Sequence, residues 1–171
     1  TYGLMQLYGG QEQFVEALDN LFTAESRIDG QMSDITGLIG QYAQGNEPSH
    51  HMAYLYNYVG QPWKTQAMTR RILEEMYQPT PEGISGNEDC GQMSAWYIMT
   101  ALGIYPVCPG SNEINLTTPL FETAVLKLAN GKTLTITATS PGGNVYISNV
   151  TVNGRELQVN CINSEKIRGG G

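Results

Sequence analysis

Apolar residues along the first hundred positions recur at helical spacing. Between Gln11 and Phe22, the residues Phe14, Val15, Leu18, Leu21 and Phe22 form an i, i+3, i+4, i+7 stripe that predicts an amphipathic helix. Gly9-Gly10 predicts the end of an earlier helix near Tyr8, because glycine readily takes the left-handed conformation that closes a helix. Met52, Leu55, Tyr56 and Val59 predict a helix over 49–59, stopped by Gly60. Pro62 opens the next helix at its first turn, and Ala67, Met68, Ile72, Leu73 and Met76 carry it to about Tyr77. A further run with Met93, Trp96, Tyr97 and Thr100 starts after Asp89, reaches Leu102 and stops at Gly103.

A faint repeat lies within this half. LMQLYGGQEQFVEALDNLF (4–22) and LYNYVGQPWKTQAMTRRIL (55–73) both read helix, Gly-Gln turn, helix. Repeated helical hairpins suggest an α/α toroid or solenoid in which each pair packs on the next. Two pairs do not close a ring, so the rest of such a toroid is expected outside this chain.

From residue 104 the period changes from helical to alternating. LKLANGKTLTITA (126–138) reads as strand, Asn-Gly turn, strand, and VYISNVTVNGRELQVN (145–160) repeats the pattern around Asn153-Gly154. Pro141-Gly142-Gly143 separates the two hairpins. The expected class is therefore α+β, with a helical part over 1–103 and an antiparallel β region over 104–171. The final glycines follow closely on the apolar Ile167, which suggests truncation before one more strand.

Composition narrows the partners. The 171 residues carry 9 Lys and Arg against 16 Asp and Glu, a formal charge of -7. The few cations are scattered, which argues against nucleic acid and anionic membranes as partners. No apolar run approaches the roughly 20 residues of a bilayer span. The absence of a leader or an initiating Met suggests a processed or trimmed chain. Cys90, Cys108 and Cys161 form no CxxC pair, so neither a zinc site nor a disulfide framework is indicated. Asn115 and Asn149 each begin an Asn-x-Thr triplet, a common chance occurrence. Tyr54, Tyr56, Tyr58 and Trp63 are assigned to packing, and Arg70-Arg71 to a solvated helix face. No GxGxxG, Walker loop or GxSxG elbow is present.

Two polar clusters stand at equivalent places, each in the loop before an apolar helix. The first, GNEPSHH (45–51), holds Asn46, Glu47, His50 and His51; the second, GNEDCGQ (86–92), holds Asn87, Glu88 and Asp89. In a toroid, such loops meet at one mouth. A purely structural role is available to both. Asp89 to Gln92 fits a capping box, and Glu47 or Ser49 could cap the earlier helix. A single cap leaves Asn87 and Glu88 unexplained. His50 and His51 project about 100° apart on a helix, so they cannot jointly bind one zinc ion, whereas Asn and Glu oxygens suit calcium.

GNEPSHHMAYLYNYVGQPWKTQAMTRRILEEMY, followed by GISGNEDCGQMSAWYIMTALGIYPVCPG, closely resembles glycoside hydrolase family 92. That resemblance implies a calcium-dependent exo-α-mannosidase, with an N-terminal β-sandwich joined to an (α/α)6 barrel and this chain as its C-terminal portion. It implies inverting hydrolysis, in which an acid and a base flank the bond about 6.5–9.5 Å apart. The base maps onto Asp89. A second carboxylate often stands two residues earlier, where this chain has Asn87. Calcium, gripping two mannose hydroxyls, is expected at Asn46 and Glu47, and Glu88, His50 and His51 are candidate substrate contacts. The general acid falls just before residue 1, so these 171 residues alone are not expected to hydrolyse mannosides. The implied partners are mannose-bearing glycans such as N-glycans and the remainder of the same enzyme. The implied setting is secreted, periplasmic or cell-surface. The competing expectations are a non-catalytic sugar- or calcium-binding helical module, and a scaffold whose clusters only cap helices.

Overall fold

The computed structural model describes residues 1–26, 36–158 and 160–170; Val159, inside the second expected hairpin, and the terminal Gly171 lie outside them. Helices α1 (Tyr2–Leu7) and α2 (Gln11–Thr23) form a hairpin about Gly9-Gly10, with Phe14, Leu18 and Phe22 of the stripe buried. A short pair of strands, β1 (Leu38–Ile39) and β2 (Tyr42–Ala43), follows. Next come two 3₁₀ segments, Glu47–Ser49 and Met52–Val59, and then α3 (Pro62–Glu75) and α4 (Gln92–Ala101).

The helix expected over 49–59 is thus wound as 3₁₀. Ala53, Tyr54, Leu55 and Tyr56 are all buried, so no single polar face dictates 3.6 residues per turn. The β1–β2 pair was also unforeseen; two-residue strands leave no alternation to read.

An aromatic core joins these elements. Trp96, Tyr42, Tyr54 and Phe14 are its largest fully buried side chains. Tyr77 lies parallel to Trp96 with ring centroids 6.0 Å apart, and Tyr54 stacks on Tyr105 at 4.7 Å. Offset-stacked pairs contribute about 0.5–1.5 kcal/mol beyond the area they bury. Lys64 Nζ meets Asp19 Oδ2 at 2.6 Å, and Tyr56 donates to Asp19 Oδ1 at 2.9 Å, tying α2 to α3 and the longer 3₁₀ segment. Trp63, assigned to packing, is instead half exposed.

Strands β3 (Ile104–Tyr105), β4 (Glu113–Leu116) and β9 (Cys161–Asn163) form one antiparallel sheet, with Ile104 opposite Leu116 and Ile114 opposite Ile162. The two expected Asn-Gly hairpins are β5 (Thr123–Lys127) with β6 (Thr133–Thr137), and β7 (Val150–Val152) with β8 (Arg155–Leu157). The second is shorter than its alternating pattern suggests. A single-turn helix, α5 (Glu165–Arg168), follows β9. The architecture is α+β. The Asn115 triplet is closed to modification, since Asn115 is buried and bonded to Asn57 and Tyr58.

Polar side chains of α3 hold the two halves together. Thr69 Oγ1 lies 2.6 Å from Thr117 Oγ1, and Gln66 Oε1 accepts the Ile147 N–H at 3.1 Å. Arg70, expected on a solvated face, is buried. Its Nη2 donates to the carbonyls of Pro119 and Pro141 at 3.1 and 3.0 Å. Helical periodicity alone cannot distinguish a face turned to water from one covered by a distant loop. Replacing Arg70 by Met strands the buried Pro141 carbonyl and the partly buried Pro119 carbonyl, so we expect Arg70→Met to lower stability by about 2 kcal/mol in a urea unfolding curve.

Candidate active site

The loop before α4 takes an unusual path. Asp89, Cys90 and Gly91 have φ of 48°, 58° and 93°, three left-handed residues in succession. Glycine tolerates this; for Asp89 and Cys90 it costs on the order of 1–3 kcal/mol each, and such conformations persist only where the surroundings enforce them. The capping box expected at Asp89 is therefore absent. The N-cap position belongs to Gly91, and no side chain there makes a cap bond.

Glu88 does the capping instead. Its Oε1 accepts the Ser94 N–H at 3.0 Å, and its Oε2 accepts the Ser94 hydroxyl at 2.8 Å. Ser94 is the third residue of α4, so Glu88 satisfies one of the unpaired N–H groups of the helix and places negative charge at its positive end. The capping bonds engage both of the oxygens expected to contact substrate. Asp89 and Asn87 are left exposed and free of that duty.

The partner loop is brought up by a contact between backbones. A Cβ on Gly86 would stand 2.5 Å from the Gly45 carbonyl oxygen and 2.9 Å from the Gly45 Cα, and Gly86 itself has φ of 80°. A Cβ on Gly45 would collide with Thr36 Oγ1 at 2.1 Å. Only two glycines permit this approach. It sets the GNEP loop directly against the GNED loop.

The result is a meeting of carboxyl groups. Glu47, carried up beside the GNED loop by the Gly45–Gly86 approach, is the main cause holding the Asp89 carboxyl above its ordinary pKa, with desolvation second. Glu47 Oε1 is buried without a hydrogen-bond partner. Asn46 precedes Glu47 at the N-cap position of the first 3₁₀ segment, and its side chain makes no cap bond; neither Glu47 nor Ser49 occupies that position. Two acidic side chains and an uncommitted amide are thus gathered at one corner, with surplus negative charge and an oxygen in want of a partner.

The adjacent histidines separate. His50 is buried, with its ring against Trp96 at 5.9 Å. Its Nε2 lies 3.0 Å from the Gln44 carbonyl oxygen and so donates; its Nδ1 then accepts from Gln92 Nε2 at 3.3 Å. The His50 carbonyl accepts the Trp96 indole N–H at 3.0 Å. Burial pushes the imidazole pKa down, which favours this neutral form. Both ring nitrogens are engaged inside the protein, so His50 offers none to a sugar. His51 is half-buried and lines a separate cavity of about 480 Å³ with Tyr58 and Glu113. Another cavity, of about 790 Å³, lies among the strands, and neither of these two includes Glu47 or Asp89.

Sequence reasoning missed Gln44, Tyr77 and the role of Gln92. Gln44 is fully buried, accepts from the Tyr42 hydroxyl and donates to Tyr77 Oη at 2.7 Å. Tyr77 in turn donates to the Met93 carbonyl at 3.2 Å. The only available signal for Gln44 was a polar residue between the aromatic Tyr42 and Gly45, which gives no hint of burial. Among the described residues, no group of three His, Cys, Asp or Glu side chains is placed to hold a metal ion.

The sequence profile of the glycosyl hydrolase family 92 catalytic domain matches residues 1–171. The chain belongs to glycosyl hydrolase family 92. It is similar to a family 92 α-mannosidase from Bacteroides thetaiotaomicron solved with mannoimidazole, with 44% identity and a TM-score of 0.88 over 94% of this chain and 21% of that one. It is also similar to a family 92 inverting mannosidase from the same organism, with 36% identity and a TM-score of 0.82 over 99% of this chain and 24% of that one. A protein of Arthroderma benhamiae described as a secreted glycosidase is 32% identical over 98% of this chain and 20% of its own length. The chain therefore spans roughly a fifth to a quarter of the length of these relatives.

Two outcomes follow from the geometry. Glu88→Ala removes the cap on α4 and is expected to cost about 1 kcal/mol, read as a fall of roughly 2–4 °C in Tm for a chain of this size. Glu47→Gln removes the neighbouring acid, so the Asp89 carboxyl should titrate at lower pH, nearer its ordinary value, in a carbon-detected NMR titration.

Proposed function

We propose that the complete gene product is an inverting exo-α-mannosidase and that Asp89 is its general base. The observation carrying this is the close approach at Gly45 and Gly86 of the two loops that bear Glu47 and Asp89, in a chain of family 92. An acid and a base that act across a water molecule stand about 6.5–9.5 Å apart in inverting glycosidases. Glu47 is read as a metal ligand and not as that acid. The resemblance to the family places the acid that protonates the leaving oxygen outside residues 1–171, so on this reading the chain on its own is inactive.

Asp89 accepts a proton from the attacking water as that water adds to the anomeric carbon opposite the departing oxygen. Asn87, exposed two residues earlier, orients that water through its amide. Glu88 holds the start of α4 through its two bonds to Ser94.

The donor set fits a hard divalent cation. Glu47 offers a buried oxygen without a partner, Asn46 an amide oxygen not used as a cap, and the paired acids an excess of negative charge. Asn46 and Glu47 would hold calcium, with the remaining positions filled by substrate hydroxyls, water and groups beyond this chain. When bound, calcium supplies a grip on sugar hydroxyls that favours a distorted ring. The barrel to which these helical hairpins belong, the mannose-bearing glycan substrate and an extracytoplasmic setting form part of the same reading. The setting draws support from the similarity to a protein described as a secreted glycosidase. No described helix is long and apolar enough to cross a membrane.

The test uses the complete gene product and an aryl α-mannoside. The first-formed mannose should have the β configuration by NMR. Asp89→Asn should lower kcat by roughly 10²- to 10⁴-fold. Chelation should abolish turnover and added calcium restore it. An unchanged kcat in Asp89→Asn removes Asp89 as the base.

A further inference from the structure

The left-handed turn at Asp89–Gly91 needs something to hold it, and the structure shows two restraints. On one side Glu88 grips Ser94. On the other, Gln92, the residue directly after the turn, donates to His50 Nδ1, and His50 in turn donates to the Gln44 carbonyl. Gln44 opens the segment that leads through Gly45 and Asn46 to Glu47, and His50 closes it. One buried imidazole therefore touches both ends of the Glu47 loop and the exit of the Asp89 turn.

We infer that His50 and Gln92 form a positioning clamp that fixes the Asp89 carboxyl relative to Glu47 and so sets the rate of the step in which Asp89 takes a proton from water. The inference rests on the reading of Asp89 as base. Neither clamp residue reaches substrate. His50 is closed off by Gln44, Gln92 and Trp96, and the Gln92 amide faces His50 and the Tyr105 hydroxyl. Their influence passes through the backbone, since Gln92 N donates to the Asp89 carbonyl at 3.3 Å. Loss of the clamp leaves both carboxyls present but loosens the turn, and a displacement near 1 Å at a reacting group costs about 10²-fold in rate.

The clamp has a polarity that variants can read. His50→Asn keeps an acceptor near the Nδ1 position for Gln92 and loses the donor to Gln44. His50→Gln keeps a donor toward Gln44 and loses that acceptor. Gln92→Met, at a half-buried position, keeps the side-chain volume and removes the amide. In the complete gene product, turning over an aryl α-mannoside, Gln92→Met and His50→Gln should each lower kcat by roughly 10- to 100-fold with KM little changed. The double variant should be no slower than the slower single one, because both remove the same interaction. His50→Asn should recover most of the rate, although its Tm falls as the Gln44 carbonyl is left unpaired. A purely structural pair would shift Tm in all variants and leave kcat per folded molecule untouched, and that result overturns the clamp. So does an additive double variant. Asp89→Asn is measured alongside. If it is inactive while Gln92→Met keeps full kcat, the clamp alone fails; if Asp89→Asn keeps its activity, the assignment of the base fails and the clamp with it.

Discussion

Everything at the acidic corner depends on a buried polar chain that runs through Gln44 and His50. Tyr42, Gln44, Tyr77 and the Met93 carbonyl form one arm; the Gln44 carbonyl, His50 and Gln92 form the other. Gln44 is completely buried and His50 nearly so, and their side chains have their hydrogen bonds met within the protein. Polar groups taken out of water cost several kcal/mol when unmatched, so such a chain admits essentially one arrangement. That arrangement fixes the start of α4 against the loop that carries Glu47.

The corner itself is locally unfavourable. Asp89 and Cys90 occupy left-handed backbone, and the Asp89 carboxyl lies against another acid. Neither feature would survive on a flexible loop, because the chain would relax and the charges would separate. The aromatic core beneath makes relaxation costly: Trp96 is wholly buried, bonds the His50 carbonyl, and lies parallel to Tyr77. Strain and charge are concentrated above this buried aromatic core, a distribution typical of sites that must be preorganised. The same scaffold reaches the strands through Gln66, Thr69 and Arg70, so the β region braces the helix that in turn supports the corner.

Much of the fold was legible from residue pattern. The α2 stripe, the Gly9-Gly10 break, Pro62 at the start of α3 and both Asn-Gly hairpins rest on local chemistry, and each is where the pattern puts it. The 3₁₀ winding of Met52–Val59 was not legible, because a run buried on every side has no polar face to mark its period. Arg70 was misjudged because the loops at Pro119 and Pro141 that cover it lie far along the chain. At the site, the two acidic loops were visible as sequence clusters, but the division of labour within GNED was not. The capping box pointed to Asp89, whereas the left-handed turn hands that task to Glu88.

The sequence by itself determined the period of each half, the turn chemistry, the excess of acid and the two motifs that resemble family 92. These depend on neighbours within a few residues, where backbone sterics and side-chain spacing act directly. Only the tertiary structure decided that Gly45 and Gly86 touch, that Glu47 meets Asp89, and that His50 faces inward while His51 does not. Those outcomes turn on contacts between residues some forty positions apart, whose geometry is set by packing and by the matching of buried hydrogen bonds, and local propensity carries no record of either.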